Sequence, residues 1–299
     1  MAQIYWISQS DLDILPVALA RGVCQSEQCF ELSHKINVRP SVACALGSLA
    51  ASNGTGLGNY SKAHQLQAEC VQIYHELGDK NNYAVSLAIL GFFSSSDTGD
   101  FRLGESQLRQ AASLLRETNL KQWLGWSCQM LGVILGAQGK DKEACFWIEE
   151  SLDIYRHLGV TDELLFGIPF YLFFSRNELG KQNLQEELLS AQKTIYADKL
   201  YFPQQVIMRV IATILAEQTL DRGDFYLEKA QLAIQLSYLA LKIPNSSSWS
   251  LNIIFDASLN KLEQSLPSEF VLEYKKRGES MEFWPTAAHL LETLPELGW

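Results

Sequence analysis

Apolar residues recur at helical spacing through the middle of the chain. Ala63, Leu66, Cys70, Ile73, Tyr74 and Leu77 fall at offsets of 0, 3, 7, 10, 11 and 14, which places them along one face of a helix. Ala144, Ile148, Ser151, Leu152, Tyr155 and Leu158 draw a similar stripe, and Gly104, Leu108, Ala111 and Leu115 an intermediate copy. Each stripe opens on a small residue. Gly22, Ala63, Gly104 and Ala144 are separated by 41, 41 and 40 residues, and a small side chain at that place lets two helices approach closely.

A second ladder marks where these helices stop. Asn37, Gly78, Asn119 and Gly159 are again 41, 41 and 40 residues apart, and Gly and Asn best tolerate the left-handed backbone just past a helix end. Ahead of each stripe lies another amphipathic segment closed by a polar turn: Gly58-Asn59-Tyr60, Gly99-Asp100-Phe101, Gly139-Lys140-Asp141, Gly180-Lys181-Gln182 and Gly223-Asp224-Phe225. The segments entering the first three turns carry Leu46-Gly47, Leu90-Gly91 and Leu131-Gly132. Glycine inside a helix costs about 1 kcal/mol relative to alanine, so its presence points to a close contact. Two antiparallel helices per repeat follow, helix A and then helix B, and the expected fold is all-α.

The ends of the pattern are less regular. Only some twenty residues precede the first helix B, at about Gly22 to Ile36, and Pro16 interrupts them, so the first repeat reads as truncated. After Gly159 the small-residue position falls on Gln185, and Pro169 predicts a kink or a late helix start. Asn245 to Ser248 forms a polar break before a last stripe of Leu251, Ile254, Phe255, Leu259 and Leu262. The expected organisation is a repeat array over residues 1–245 and capping helices of the same body over 246–299.

Leu-Gly in helix A with a small residue early in helix B, at Leu90, Gly91 and Gly104 and at Leu131, Gly132 and Ala144, resembles the tetratricopeptide superfamily across roughly residues 20 to 240. The step of about 41 exceeds that superfamily's usual 34 and is similar to the longer repeats of bacterial STAND regulators, the AfsR-like proteins and maltose-type activators. The segments Ile73 to Lys80 and Ser151 to Gly159 look like helix-B endings of that group. Glu269-Phe270, Tyr274, Arg277 to Met281 and Ala287-Ala288 resemble its closing segment, in which an aromatic-bearing helix ends in a Gly turn before one last short helix, although Trp284-Pro285-Thr286 occupies a stretch usually acidic there. The resemblance implies a right-handed α-solenoid of antiparallel helix hairpins, and a role as an interaction or sensor module in signalling or transcriptional control.

Composition and charge narrow the function. The formal net charge of -10 opposes the counterion release that drives nonspecific nucleic-acid binding. Lys275, Lys276 and Arg277 form the single tight basic cluster and read as a solvated helix end. The first residues do not read as a secretory signal, and the apolar run Leu164 to Phe174 is too short to cross a bilayer as a helix, so a cytoplasmic protein without a membrane partner is expected. Six cysteines, lacking CxxC pairs, read as buried thiols.

Catalytic signatures are missing. The chain has no GxxxxGK[ST], no HExxH and no GxSxG, and Asn53 to Gly58 reads as an extended interhelical turn. His34, His75 and His157 sit just before helix-B terminators, where a cation favours the negative end of the helix dipole. No catalytic residue, metal site or cofactor is expected. An unrecognised helical enzyme is the most remote reading.

In a solenoid of hairpins helix A lines the concave surface. Counting from Gly91, Gly132, Phe173 and Ala216 gives the candidate partner-binding positions Ala88 and Phe92; Trp126, Gln129 and Val133; Phe170, Phe174 and Asn177; and Thr213 and Glu217. Trp126, Phe170 and Phe174 could anchor an apolar peptide side chain or stack on a sugar, or they could pack hairpins together. The expected function is non-enzymatic binding of a protein or peptide partner. The alternative is sensing of a small ligand such as an oligosaccharide.

Overall fold

The computed structural model describes residues 15–222, 227–242 and 248–296. Fourteen α-helices and no strand are found among them. They fall into two compact units, Met1–Leu164 and Leu165–Trp299.

The first unit contains α1 (Leu15–Ile36), α2 (Arg39–Ala51), α3 (Tyr60–Glu76), α4 (Lys80–Thr98), α5 (Phe101–Arg116), α6 (Lys121–Ala137) and α7 (Asp141–Leu158). Each packs against the next in the chain. The turns explain why the helices are so regularly divided. Gly58, Gly78 and Gly99 all adopt φ of 67°, and the next residue, Asn59, Asp79 or Asp100, accepts a hydrogen bond from the backbone N–H three residues on. One residue therefore ends a helix and its neighbour caps the next one. At Gly139 the following residue is Lys140, which gives no side-chain cap, and the acidic Asp141 and Glu143 in the first turn of α7 complement the helix dipole instead.

The terminator ladder holds at Asn37 (φ 52°), Gly78 and Gly159, and fails at Asn119, which is not left-handed. There the chain turns on Thr118, whose hydroxyl donates to the Leu115 carbonyl at 2.8 Å and accepts from the Leu120 amide at 3.1 Å. A further left-handed position lies at Lys199 (φ 53°), in the second unit.

Helix contacts show why the small residues are there. A methyl group on Gly91 would lie 3.0 Å from the Gly104 carbonyl oxygen, and one on Gly132 3.0 Å from that of Ala144. Gly47 is different, because a methyl group there would meet only Cys70 Sγ at 3.5 Å and Gln67 Oε1 at 3.9 Å. The residue opposing Ala63 is instead Gly54, whose added methyl would come within 2.9 Å of the Ala63 Cβ. The expected equivalence of Leu46-Gly47 with Leu90-Gly91 is thus off register. The cause is a π-helical turn, Ser52–Gly56, that continues α2 with Asn53 buried and bonded to the Leu49 carbonyl. The segment read as an extended turn is helical as far as Gly56.

The buried face of α3 also differs from the expected stripe. It consists of Ala63, Gln67, Cys70 and Tyr74, with Leu77 exposed, and Leu158 at the end of α7 is exposed likewise. Gln67 is tolerated inside because its amide donates to the Ser86 carbonyl of α4 at 2.9 Å. Of the six thiols only Cys70 and Cys128 are buried; Cys24, Cys29 and Cys44 are exposed, contrary to the sequence reading.

α8 (Thr161–Ser175) contains the division between the units, and Pro169 lies inside it, so the helix does not start late. The second unit continues with α9 (Lys181–Ala197), α10 (Tyr201–Arg222), α11 (Leu227–Leu241), α12 (Ser248–Ser265), α13 (Ser268–Ser280) and α14 (Phe283–Thr293). α10 is buried continuously from Tyr201 to Ala216. α9, α11 and α12 all pack against it, which accounts for apolar residues on every side of it. α13 packs on α11, and Gly278 lies within α13 against the Gln235 backbone rather than forming the expected terminating turn. Lys275 pairs with Glu263 at 2.8 Å, so the basic cluster is only partly a solvated helix end.

The last helix does not extend the stack. α14 returns to α9, where the Gln192 amide donates to the Ala287 carbonyl at 3.0 Å and Gln185 reaches the Leu294 and Pro295 carbonyls at 3.0 Å. Trp284 meets Tyr196 edge-on, and the Lys199 ammonium sits 3.4 Å from the Tyr196 ring centroid and 4.7 Å from that of Trp284. Gly223-Asp224-Phe225 lies outside the described residues, as does the expected break from Asn245 to Ser248 except for Ser248, which already begins α12; the side chain of Leu251 is outside them too.

Candidate functional site

The ten positions expected to face a partner are mostly enclosed. Ala88, Phe92, Gln129, Val133, Phe170, Phe174 and Thr213 are buried, Trp126 and Glu217 are half-buried, and Asn177 is exposed. Their partners explain the burial, and each unit contributes a different chemistry.

In the first unit the accessible group is aromatic. Trp126 lies edge-on to Phe92, with ring centroids 6.1 Å apart, and edge-on to Trp123 at 5.9 Å. Phe92 is itself held by Phe93 at 5.6 Å and Tyr60 at 6.5 Å. Trp126 follows Trp123 at the i, i+3 spacing, so both indoles project from the same side of α6, and both are half-buried. Gln129 completes this side of α6 by donating to the Glu163 carbonyl at 3.0 Å, while Gln122 donates to the Glu163 carboxylate at 3.1 Å. The indoles thus stand on a fixed base. Trp123 was not among the expected positions, yet its spacing from Trp126 carries the signal.

In the second unit the corresponding positions join a polar seam. Arg209, Thr213 and Glu217 succeed one another at four-residue intervals along α10. Arg176 grips Glu217 through Nε at 3.0 Å and Nη2 at 3.1 Å, and the Ser258 hydroxyl donates to the same carboxylate at 3.1 Å. The Arg176 guanidinium also lies 4.0 Å from the Phe173 ring centroid. Thr213 returns its hydroxyl to the Arg209 carbonyl at 2.8 Å, a local bond that leaves it little freedom to contact anything else.

Arg209 is 1% exposed and forms an ion pair with Asp256 of α12. Its Nε and Nη1 have no hydrogen-bond partner among the described residues. Burial lowers its affinity for a proton, and the Asp256 carboxylate works against that shift. A lone arginine within Val206-Ile207-Met208-Arg209-Val210-Ile211 is the sequence signal for this pair, which periodicity alone does not reveal.

Phe170 and Phe174 belong to an aromatic cluster around Phe255, which Phe170 approaches at 6.2 Å and Phe173 at 4.8 Å. Phe170 stacks on Phe174 at 6.5 Å. Among the described residues no group of three His, Cys, Asp or Glu side chains is placed to hold a metal ion, and no helix is long and apolar enough to cross a membrane. Comparison of the chain with protein-family models and with curated proteins finds no match.

Proposed function

We propose that this chain is a non-enzymatic partner-binding scaffold, a right-handed α-solenoid of tetratricopeptide-like hairpins with repeats of about 41 residues. The reading extends the sequence resemblance to the repeat regions of bacterial STAND regulators. It places the protein in the cytoplasm, in signalling or transcriptional control, with a protein or peptide as partner and no cofactor.

The observation that carries it is the Trp123–Trp126 pair, half-exposed at helix-A positions over the buried Phe92. Large rigid aromatics that keep one side accessible supply anchoring area at low conformational cost. The two indoles meet edge to face at 73°, so they offer a stepped aromatic ridge rather than one flat platform. That geometry favours a peptide over the alternative small ligand, a stacked sugar ring.

The test is affinity capture by the full chain, run side by side with the Trp123→Ala/Trp126→Ala double variant. A protein held by the wild type and lost from the folded variant supports the reading. Retention of every captured protein by the variant rejects the aromatic pair as the partner's site, and capture of none by either protein rejects the scaffold reading.

A further inference from the structure

Helix α7 carries a second surface that none of the ten expected positions includes. An open depression of about 480 Å³ runs along one side of it. Phe146, Ile154 and Leu158 supply its apolar lining, and Glu149, Glu150 and Asp153 its carboxylates. Their offsets from Phe146, namely 3, 4, 7, 8 and 12, form a single continuous helix face. Phe146 is 61% exposed and Leu158 44% exposed. An exposed apolar face costs solubility, and one bordered by charge is characteristic of an interaction surface.

The charges say what can cover it. Glu150 is held by Arg116 Nη2 at 2.7 and 2.8 Å, and Asp153 by Arg156 at 2.7 Å. Glu149, one helical turn before Asp153, has no ion pair among the described residues. The lining also includes Lys121, whose ammonium reaches the Arg116 carbonyl at 3.4 Å, and His157, whose Nδ1 is 2.7 Å from the Asp153 carbonyl oxygen. Arg116 and Arg156 thus offset Glu150 and Asp153, Glu149 keeps an uncompensated charge, and the net charge of -10 on the chain repels nucleic acid and anionic lipid.

We infer that this depression docks a peptide segment of another protein in which a large apolar side chain is flanked by Lys or Arg. The apolar group lies over Phe146, Ile154 and Leu158. One flanking cation meets Glu149 and a second shares the exposed Asp153 carboxylate with Arg156, steering the segment in and setting its register.

The test uses the full chain and a fluorescein-labelled synthetic peptide of Leu, Trp and Lys in amphipathic order, followed by fluorescence anisotropy. Two further peptides serve as controls, one with Glu in place of Lys and one with Ser in place of Leu and Trp. The first peptide is expected to bind and the other two are not. Phe146→Ala weakens binding on the order of tenfold, since it removes the most accessible anchor. Glu149→Lys/Asp153→Lys weakens it by a similar factor and removes most of its salt dependence. Trp123→Ala/Trp126→Ala leaves it unchanged, which separates this surface from the aromatic pair on α6. All substituted residues of α7 are exposed, so helical circular dichroism stays at the wild-type level. Failure of the basic apolar peptide to bind at any soluble concentration overturns the inference. So does equal binding by the acidic peptide, or binding to the α7 variants at wild-type strength.

Discussion

Gly91 and Gly104 face one another across the α4–α5 hairpin so closely that a methyl group on Gly104 would lie 2.6 Å from the Gly91 carbonyl oxygen. It would also run into the Ser95 hydroxyl. In the α2–α3 hairpin the same two places are held by Gly54 and Ala63, so the first helix keeps its glycine and only the second gains a methyl group. Gly104→Ala should destabilise the protein by about 1–3 kcal/mol through overpacking. Adding Ser95→Gly should recover part of the loss, because the hydroxyl clash goes while the carbonyl contact stays. Urea denaturation of the two single variants and the pair measures this coupling.

Asn37 and Asn119 occupy equivalent sequence positions, but only Asn37 is left-handed. Asn37→Gly relieves a small backbone cost and should stabilise by about 0.5 kcal/mol. Asn119→Gly gains nothing there and only loosens the unfolded chain, so it should be neutral or destabilising. In thermal melts only Asn37→Gly raises the midpoint if the turn at Thr118 is as described.

Glu105 gathers hydrogen bonds from Arg109 Nε at 2.9 Å, Gln138 at 2.9 Å and Lys140 at 2.8 Å, tying α5 to the turn between α6 and α7. Desolvation pushes its carboxyl up, but the bonds from Lys140, Gln138 and Arg109 outweigh it and hold the group at about 2, below its ordinary 4.5. A carboxyl depressed by folding contributes stability that is fully present above 4.5 and is lost as pH falls towards 2. Glu105→Gln should therefore cost about 2 kcal/mol at neutral pH. It should also flatten the acid limb of the stability profile within that window, as read by denaturation at successive pH values.

Arg209 and Asp256 test the asymmetry of buried pairs. Removing the carboxylate by Asp256→Ala strands a guanidinium that is 1% exposed and should cost about 3 kcal/mol. Arg209→Met removes the charge with its desolvation burden, and Asp256 can turn to water because it is 36% exposed, so the loss should stay within about 1 kcal/mol. Equal losses in chemical denaturation would contradict this account of the seam.

The parts of the fold that the sequence revealed are those written in single residues with one physical reason. Gly58, Gly78, Gly99, Gly139 and Gly159 sit at positive φ, and the Gly91–Gly104 and Gly132–Ala144 approaches follow from small side chains alone. What escaped depends on tertiary context. The π-helical turn at Ser52–Gly56 shifts the register of α2 without any Pro or charge to announce it. Asn119 looks like a terminator until Thr118 supplies a different closure. Gln67 and Arg209 are polar by composition and buried by partnership, so a hydropathy pattern misplaces both. The candidate binding positions fared similarly. Periodicity found the helix-A face that carries Trp126, but counting positions cannot separate an accessible indole from an enclosed Phe170, because both are large apolar residues on helix faces.

The return of α14 to α9 changes how the second unit comes apart. A linear stack of hairpins can fray from its last member inward, each loss exposing only the neighbour beneath. Here the final helix is buttoned to a rung laid down about a hundred residues earlier, through Gln192 to Ala287 and Gln185 to Leu294. Melting at the tail therefore uncovers α9 as well, which couples the opening of the last described helix to that of one near the start of the second unit.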